Sequence, residues 1–75
     1  MARVLVDVDL KWQGRRIDNF ISEVDPDDPE DVHGLFRDAI THDPDSRNRK
    51  ASEYEIHLRR KRNGQYLFKY VGRSR

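Results

Sequence analysis

The chain has no cysteine among its 75 residues. That excludes a disulfide framework, a thiol nucleophile and a zinc site built on thiolates. No apolar run approaches the ~18 residues of a membrane-spanning helix. The opening MARVLVDVDL is interrupted by Asp7 and Asp9, so it lacks the ~7–15-residue apolar core of a secretory signal. The expected location is therefore the cytoplasm, with no membrane partner. Glycine-rich phosphate loops are missing, and so are the H-x-x-x-H and H-E-x-x-H spacings of metal-binding helices.

Charge is what the chain has in quantity. Charged residues make up 39% of it, against ~25% in a typical domain. The formal net charge of +1 conceals a strong asymmetry. Residues 1–45 hold 5 Lys and Arg against 12 Asp and Glu, a balance of −7; residues 46–75 hold 10 against 2, a balance of +8. Such a division points either to an electrostatic partner or to two halves that neutralise each other in the fold.

Apolar residues are patterned, which argues against global disorder. In RVLVDVDLKW (3–12), Val4, Val6, Val8, Leu10 and Trp12 share one parity, the mark of a half-buried strand. Gln13-Gly14 reads as a turn. RRIDNFISEV (15–24) fits two templates. As a helix it would put Arg15 and Arg16 at the positive end of the dipole and Glu23 and Asp25 at the negative end. As a strand it would pair Leu10 with Ile17 and Val6 with Ile21, with Asn19 inside and Phe20 outside as misfits. The charges favour the strand.

DPDDPEDVHGLFRDAITH (25–42) reads as a helix. Asp28 suits the N-cap, Pro29 the first position, and Glu30 and Asp31 the first turn. Val32, Leu35, Phe36, Ala39 and Ile40 form a single apolar stripe. DPDSRNRKAS (43–52) reads as a polar linker. SEYEIHLRRK and QYLFKYVG then alternate on either side of Asn63-Gly64, a strong hairpin signal. The expected fold is α+β, a small antiparallel-rich sheet of three to four strands on one helix in the order ββαββ, with βααββ as the alternative. Residues 1–72 form one domain and 73–75 a basic tail.

The hairpin register decides its chemistry. A two-residue Asn63-Gly64 loop would put Tyr66, Phe68 and Tyr70 on one face with His57, Arg59 and Lys61, a platform for stacking bases. A longer loop with Gly64 in the left-handed region would set Leu58 against Phe68 and Ile56 against Tyr70. Tyr54, Ile56, Leu58, Tyr66, Phe68 and Tyr70 would then make one apolar face, with Leu67 and Val71 outside. A chain this short needs that core area, so the second register is expected.

The basic residues left over, Arg47, Arg49, Lys50, His57, Arg59, Arg60, Lys61, Arg62, Lys69, Arg73 and Arg75, are candidate phosphate contacts. Asp27, Asp28, Asp31 and Asp38 on the acidic helix are candidates for docking a basic partner. DPDDPED does not make an EF-hand, because Glu30 and Phe36 stand where Gly and Glu are required; no metal or cofactor is expected. The first functional expectation is a small non-enzymatic protein that binds DNA or RNA or regulates through the basic hairpin. An alternative is a protein-interaction module or inhibitor that docks an acidic or basic protein partner, with self-association between unlike faces. A third is a small RNase-like toxin in which His57 acts as base beside Arg59 and Lys61.

Overall fold

The structure, a computed structural model, describes residues 3–73. Its element order is ββαββ: β1 Val4–Trp12, β2 Arg15–Val24, α1 Pro29–Ile40, β3 Tyr54–Arg60 and β4 Tyr66–Val71. The strands form one antiparallel sheet in the order β2-β1-β3-β4. Each hairpin contributes a pair, and β1 and β3 zip the pairs together.

β1 is central and its alternation is realised. Val6, Val8 and Leu10 are fully buried, facing the helix, while Leu5, Asp7, Asp9 and Lys11 take the opposite parity. The turn after it is tight, with φ of 50° at Gln13 and 82° at Gly14. Two consecutive left-handed residues match the natural twist of a two-residue hairpin.

The pairing of β2 differs from the sequence expectation. Trp12 faces Arg15 and Lys11 faces Arg16, but the ladder then shifts, so that Leu10 faces Asp18 and Val6 faces Ser22. Ile17 is the extra residue of a β-bulge. One inserted residue exchanges the faces of everything beyond it. Phe20 and Val24 therefore turn toward the helix, and Ile17 and Ile21 are left 39% and 54% exposed. The bulge resolves the two misfits of the regular register, since Asn19 is now outside and Phe20 inside.

α1 starts as the sequence indicates. The Asp28 carboxylate accepts from the N–H groups of Glu30 at 3.0 Å and Asp31 at 3.4 Å, with Pro29 at the first position. Val32, Leu35, Phe36 and Ala39 are buried against the sheet, and Ile40 is partly so. The core lies between this stripe and Val6, Val8, Leu10, Val24, Tyr54, Ile56 and Leu58. Only one sheet face is covered by the helix.

Residues 43–53 are more ordered than a polar linker. They form two short 3-10 turns, Ser46–Asn48 and Ala51–Glu53. Asp43 holds them down. Its carboxylate accepts from the Tyr54 hydroxyl and from Arg49 at 2.8 Å. The Arg49 guanidinium lies 3.8 Å above the Trp12 ring, and Trp12 Nε1 donates to Glu53 at 3.3 Å. At the far side, Gly72 fills the gap between this segment and the helix. A Cβ there would sit 2.0 Å from the Ala51 carbonyl oxygen and 2.6 Å from the Phe36 ring.

Candidate nucleic-acid interface

The β3–β4 hairpin follows the expected register over most of its length. Glu55 faces Val71, Ile56 faces Tyr70, His57 faces Lys69 and Leu58 faces Phe68. Gly64 has the left-handed φ of 72°, and its N–H closes the loop onto the Arg60 carbonyl at 2.8 Å. Ile56 and Leu58 are fully buried, and Phe68 and Tyr70 pack partly on the same core.

Beyond Leu58 the expectation fails. A second bulge intervenes, and Arg59 faces Tyr66. Leu67 is the extra residue and packs against the core, while Tyr66 turns to the uncovered face and is 43% exposed. The expected positions of Tyr66 and Leu67 are thus exchanged. The outward aromatic is the residue that sequence reasoning misassigned to the core. The available signal was Leu67 itself, an apolar residue on a polar parity.

Around Tyr66 the structure assembles a chain of contacts. The Arg59 guanidinium lies 5.2 Å from the Tyr66 ring centroid. The Tyr66 hydroxyl is 3.2 Å from His57 Nδ1, and His57 Nε2 meets the Glu55 carboxylate. An ionised carboxylate only accepts, so Nε2 carries the proton in this pair, and a neutral ring then accepts from Tyr66 at Nδ1. Glu55 and His57 are largely covered, with 26% and 19% of their side chains exposed. The result is a tyrosine ring fixed in orientation, with an arginine on it and Lys69 opposite His57 on the next strand.

The eleven basic candidates fall into separate groups. His57, Arg59 and Lys69 belong to the open face. Arg60, Lys61 and Arg62 cluster at the hairpin tip, where Lys61 donates from its backbone to Leu5 and all three line a shallow recess with Val4. Arg47, Arg49 and Lys50 lie at the other end of β3, about 20 Å away for a strand of this length. Arg49 is bound to Asp43 and Asp45 and stacked on Trp12, so its charge is already matched within the chain. Arg47 and Lys50 are exposed. Arg73 is exposed at the end of β4, beside a groove of about 600 Å³ lined by His33, Phe36, Arg37 and Tyr70. Arg75 lies outside the described residues.

The same face changes sign across the sheet. On β1, Asp7 and Asp9 stand opposite Arg59 and His57. The Asn19 amide joins both carboxylates, at 2.8 and 2.7 Å, and Arg16 approaches Asp9 at 3.7 Å. Of the acidic helix candidates, Asp28 is spent on capping. Asp31 accepts from the Asp25 N–H at 2.7 Å and pairs with Arg3 at 3.8 Å. Asp27 and Asp38 are exposed.

The remaining histidines have structural partners. His33 meets the Tyr70 hydroxyl at 2.7 Å, and His42 pairs with Asp18 at 2.7 Å while stacking on Phe20. Among the described residues, no helix is long and apolar enough to cross a membrane, and no three His, Asp or Glu side chains are grouped to hold a metal. Compared with protein-family models, with curated proteins and with solved structures, the chain gives no significant match to any.

Proposed function

We propose that this is a small binding protein for single-stranded nucleic acid, which it engages with the open face of β3–β4. The observation that carries this reading is the exposed Tyr66 ring, turned outward by the bulge and held under Arg59. A base stacks on such a ring without regard to sequence, for about 1–3 kcal/mol. Lys69 on the same face and Lys61 and Arg62 at the tip supply cations for the flanking phosphates. The role is non-enzymatic and regulatory, through occupancy of the strand. Fluorescence anisotropy with labelled single-stranded RNA and DNA at two salt concentrations tests it. Absence of binding at ~50 mM salt overturns it.

A second reading, cleavage of RNA, is favoured by one specific observation. The Glu55–His57–Tyr66 chain supplies a carboxylate, an imidazole and a phenol in hydrogen-bonded sequence, with Arg59 beside the phenol. Such a chain can relay a proton to or from a ribose hydroxyl. Cleavage of labelled RNA that disappears in His57→Ala supports this reading; intact RNA after prolonged incubation at micromolar protein removes it.

A further inference from the structure

β4 is the outer strand at the far end of the sheet from β2, and bonds elsewhere in the sheet fix which of its backbone groups are free. The Gly72 N–H donates to the Tyr54 carbonyl at 3.1 Å, so Gly72 turns its backbone groups toward β3. Tyr70 and Phe68 follow in the same phase, opposite Ile56 and Leu58. Lys69 and Val71 face His57 and Glu55 as non-hydrogen-bonded pairs, and their N–H and C=O groups point to the open edge. The bulge at Leu67 lies before Phe68, so the phase is unbroken from Phe68 to Gly72. A bond on the other side of β3 agrees. The Gln13 N–H donates to the Glu53 carbonyl at 3.0 Å, so Glu53, and with it Glu55 and His57, turn toward β1. An open edge of this kind is a template for another strand.

Beside this edge, between β4 and α1, lies the groove of about 600 Å³. Phe36, Ile40 and Tyr70 give it apolar walls, and His33, Arg37 and Arg73 stand around them. Tyr70 is held in place there. Its hydroxyl is 2.7 Å from His33 Nδ1, and its ring centre is 5.0 Å from that of Phe36. His33, Arg37, Lys69 and Arg73 are all exposed. Among the described residues, no carboxylate lies within ion-pair distance of Arg37, Lys69 or Arg73. Free backbone groups, an apolar recess and unmatched positive charge thus meet along one strand edge. A second copy of the chain would bring the same cations against these, so the edge repels its own kind.

We propose that this edge binds an extended acidic segment of another protein, which adds to β4 as a fifth strand. Lys69 and Val71 each offer one N–H and one carbonyl to its main chain. Side chains alternate across a strand, so every second one falls on the groove side. An apolar residue opposite Tyr70 lies over Phe36 and Ile40. Acids before and after it meet Lys69 on the open face and Arg37 and Arg73 at the rim of the groove. The main-chain bonds supply affinity, and the groove with its cations chooses the sequence. This surface does not depend on nucleic-acid binding: Tyr66 takes no part, and only Lys69 borders both.

Fluorescence anisotropy with the labelled peptide Glu-Glu-Leu-Glu-Glu tests it. Two companions are its lysine counterpart, Lys-Lys-Leu-Lys-Lys, and a copy N-methylated at the two glutamates that flank leucine. The acidic peptide is expected to bind with a Kd below about 1 mM in ~50 mM salt, and the two companions not to bind. Arg37→Glu combined with Arg73→Glu weakens the acidic peptide at least about tenfold. Val71→Pro removes a donor that serves no bond within the sheet, a change an edge strand accommodates, and weakens it as well. The N-methylated copy carries the same test on the unaltered protein if Val71→Pro does not fold. No binding of the acidic peptide at about 1 mM, or equal binding of either companion, overturns the proposal. So does single-stranded RNA whose binding depends on Arg37 and Arg73 while the peptide stays free.

Discussion

The Tyr54 hydroxyl donates to the Asp43 carboxylate across ten intervening residues, and the bond joins the first residue of β3 to the segment that follows α1. Tyr54 is 1% exposed and Asp43 7%. Arg49 closes the same cluster at 2.8 Å and rests on Trp12, so helix exit, connection and both central strands meet in one polar joint.

The joint makes stability depend on pH at both extremes. The bond from Tyr54 holds the Asp43 carboxyl below its usual 3.8. A depressed carboxyl contributes stability that is present above the ordinary value and is lost as pH falls through the lower folded one. Burial, with Asp43 alongside, pushes the Tyr54 phenol from 10.0 up to about 12. That contribution is complete below pH 10.0 and is lost as pH rises toward about 12. Thermal melts from pH 2 to 12 are expected to fall at both ends. In Tyr54→Phe the decline between pH 10.0 and about 12 is expected to be shallower than in the parent; identical alkaline slopes contradict the assignment.

Of the four glycines, Gly72 is the one with no room for a side chain. Its Cβ position is occupied by the Ala51 carbonyl and the Phe36 ring, at 2.0 and 2.6 Å, and the first of these is backbone that cannot swing aside. Gly72→Ala is expected to cost about 1–3 kcal/mol in urea denaturation, as overpacking does. Gly34, which has open space around it, provides the control: Gly34→Ala in the helix should stabilise by about 1 kcal/mol.

The bulge at Ile17 makes neighbouring residues behave oppositely. Phe20→Ala removes a ring that packs on the core and on His42, 4.4 Å away between ring centres. A half-buried phenylalanine is expected to cost about half of the ~3–5 kcal/mol of a buried one. Ile21→Ala, on the open face, should stay within about 0.5 kcal/mol. Equal losses would mean that the ladder runs without the bulge.

On the binding face, Tyr66→Ala is expected to weaken single-stranded RNA or DNA about tenfold or more, with the salt dependence unchanged. Arg59→Ala and Lys69→Ala should each flatten the log–log salt slope by about 0.7, the share of one phosphate on a single strand. Arg49→Lys should leave affinity unchanged and lower the melting temperature, because Arg49 serves Asp43 and Trp12. Anisotropy titrations at several salt concentrations separate these outcomes.

Helix α1 was legible because its signals are local. Asp28, Pro29 and the Val32/Leu35/Phe36/Ala39 stripe all agree within twelve residues of one another. The alternation of β1 and the pairing of Leu58 with Phe68 were legible for the same reason. The two bulges were not. Each inserts one residue, and no residue type compels either; only the packing of Phe20 in one case and Leu67 in the other selects them. The candidate face was hidden with it, since Tyr66 reaches that face solely through the Leu67 bulge. The fate of Arg49 was equally hidden, because its partner Trp12 lies 37 positions earlier in the chain.

The central place of β1 also sets an order of events. Its second neighbour is β3, so Val8 waits for Leu58 and Leu10 for Ile56 before either is covered on both sides. A ribosome must release residues 54–60 before the core can close, and until then the emerged portion is an acidic half-domain. The strand that completes it arrives with Arg59 and Arg60 at its end and meets Asp7 through Arg59. Attraction between the halves is expected to favour the pairing of β3 with β1, so refolding should slow as salt screens it. A stopped-flow refolding rate that declines between 0.05 and 0.5 M sodium chloride would show the charge asymmetry working as a folding aid; a rate indifferent to salt would show that it does not.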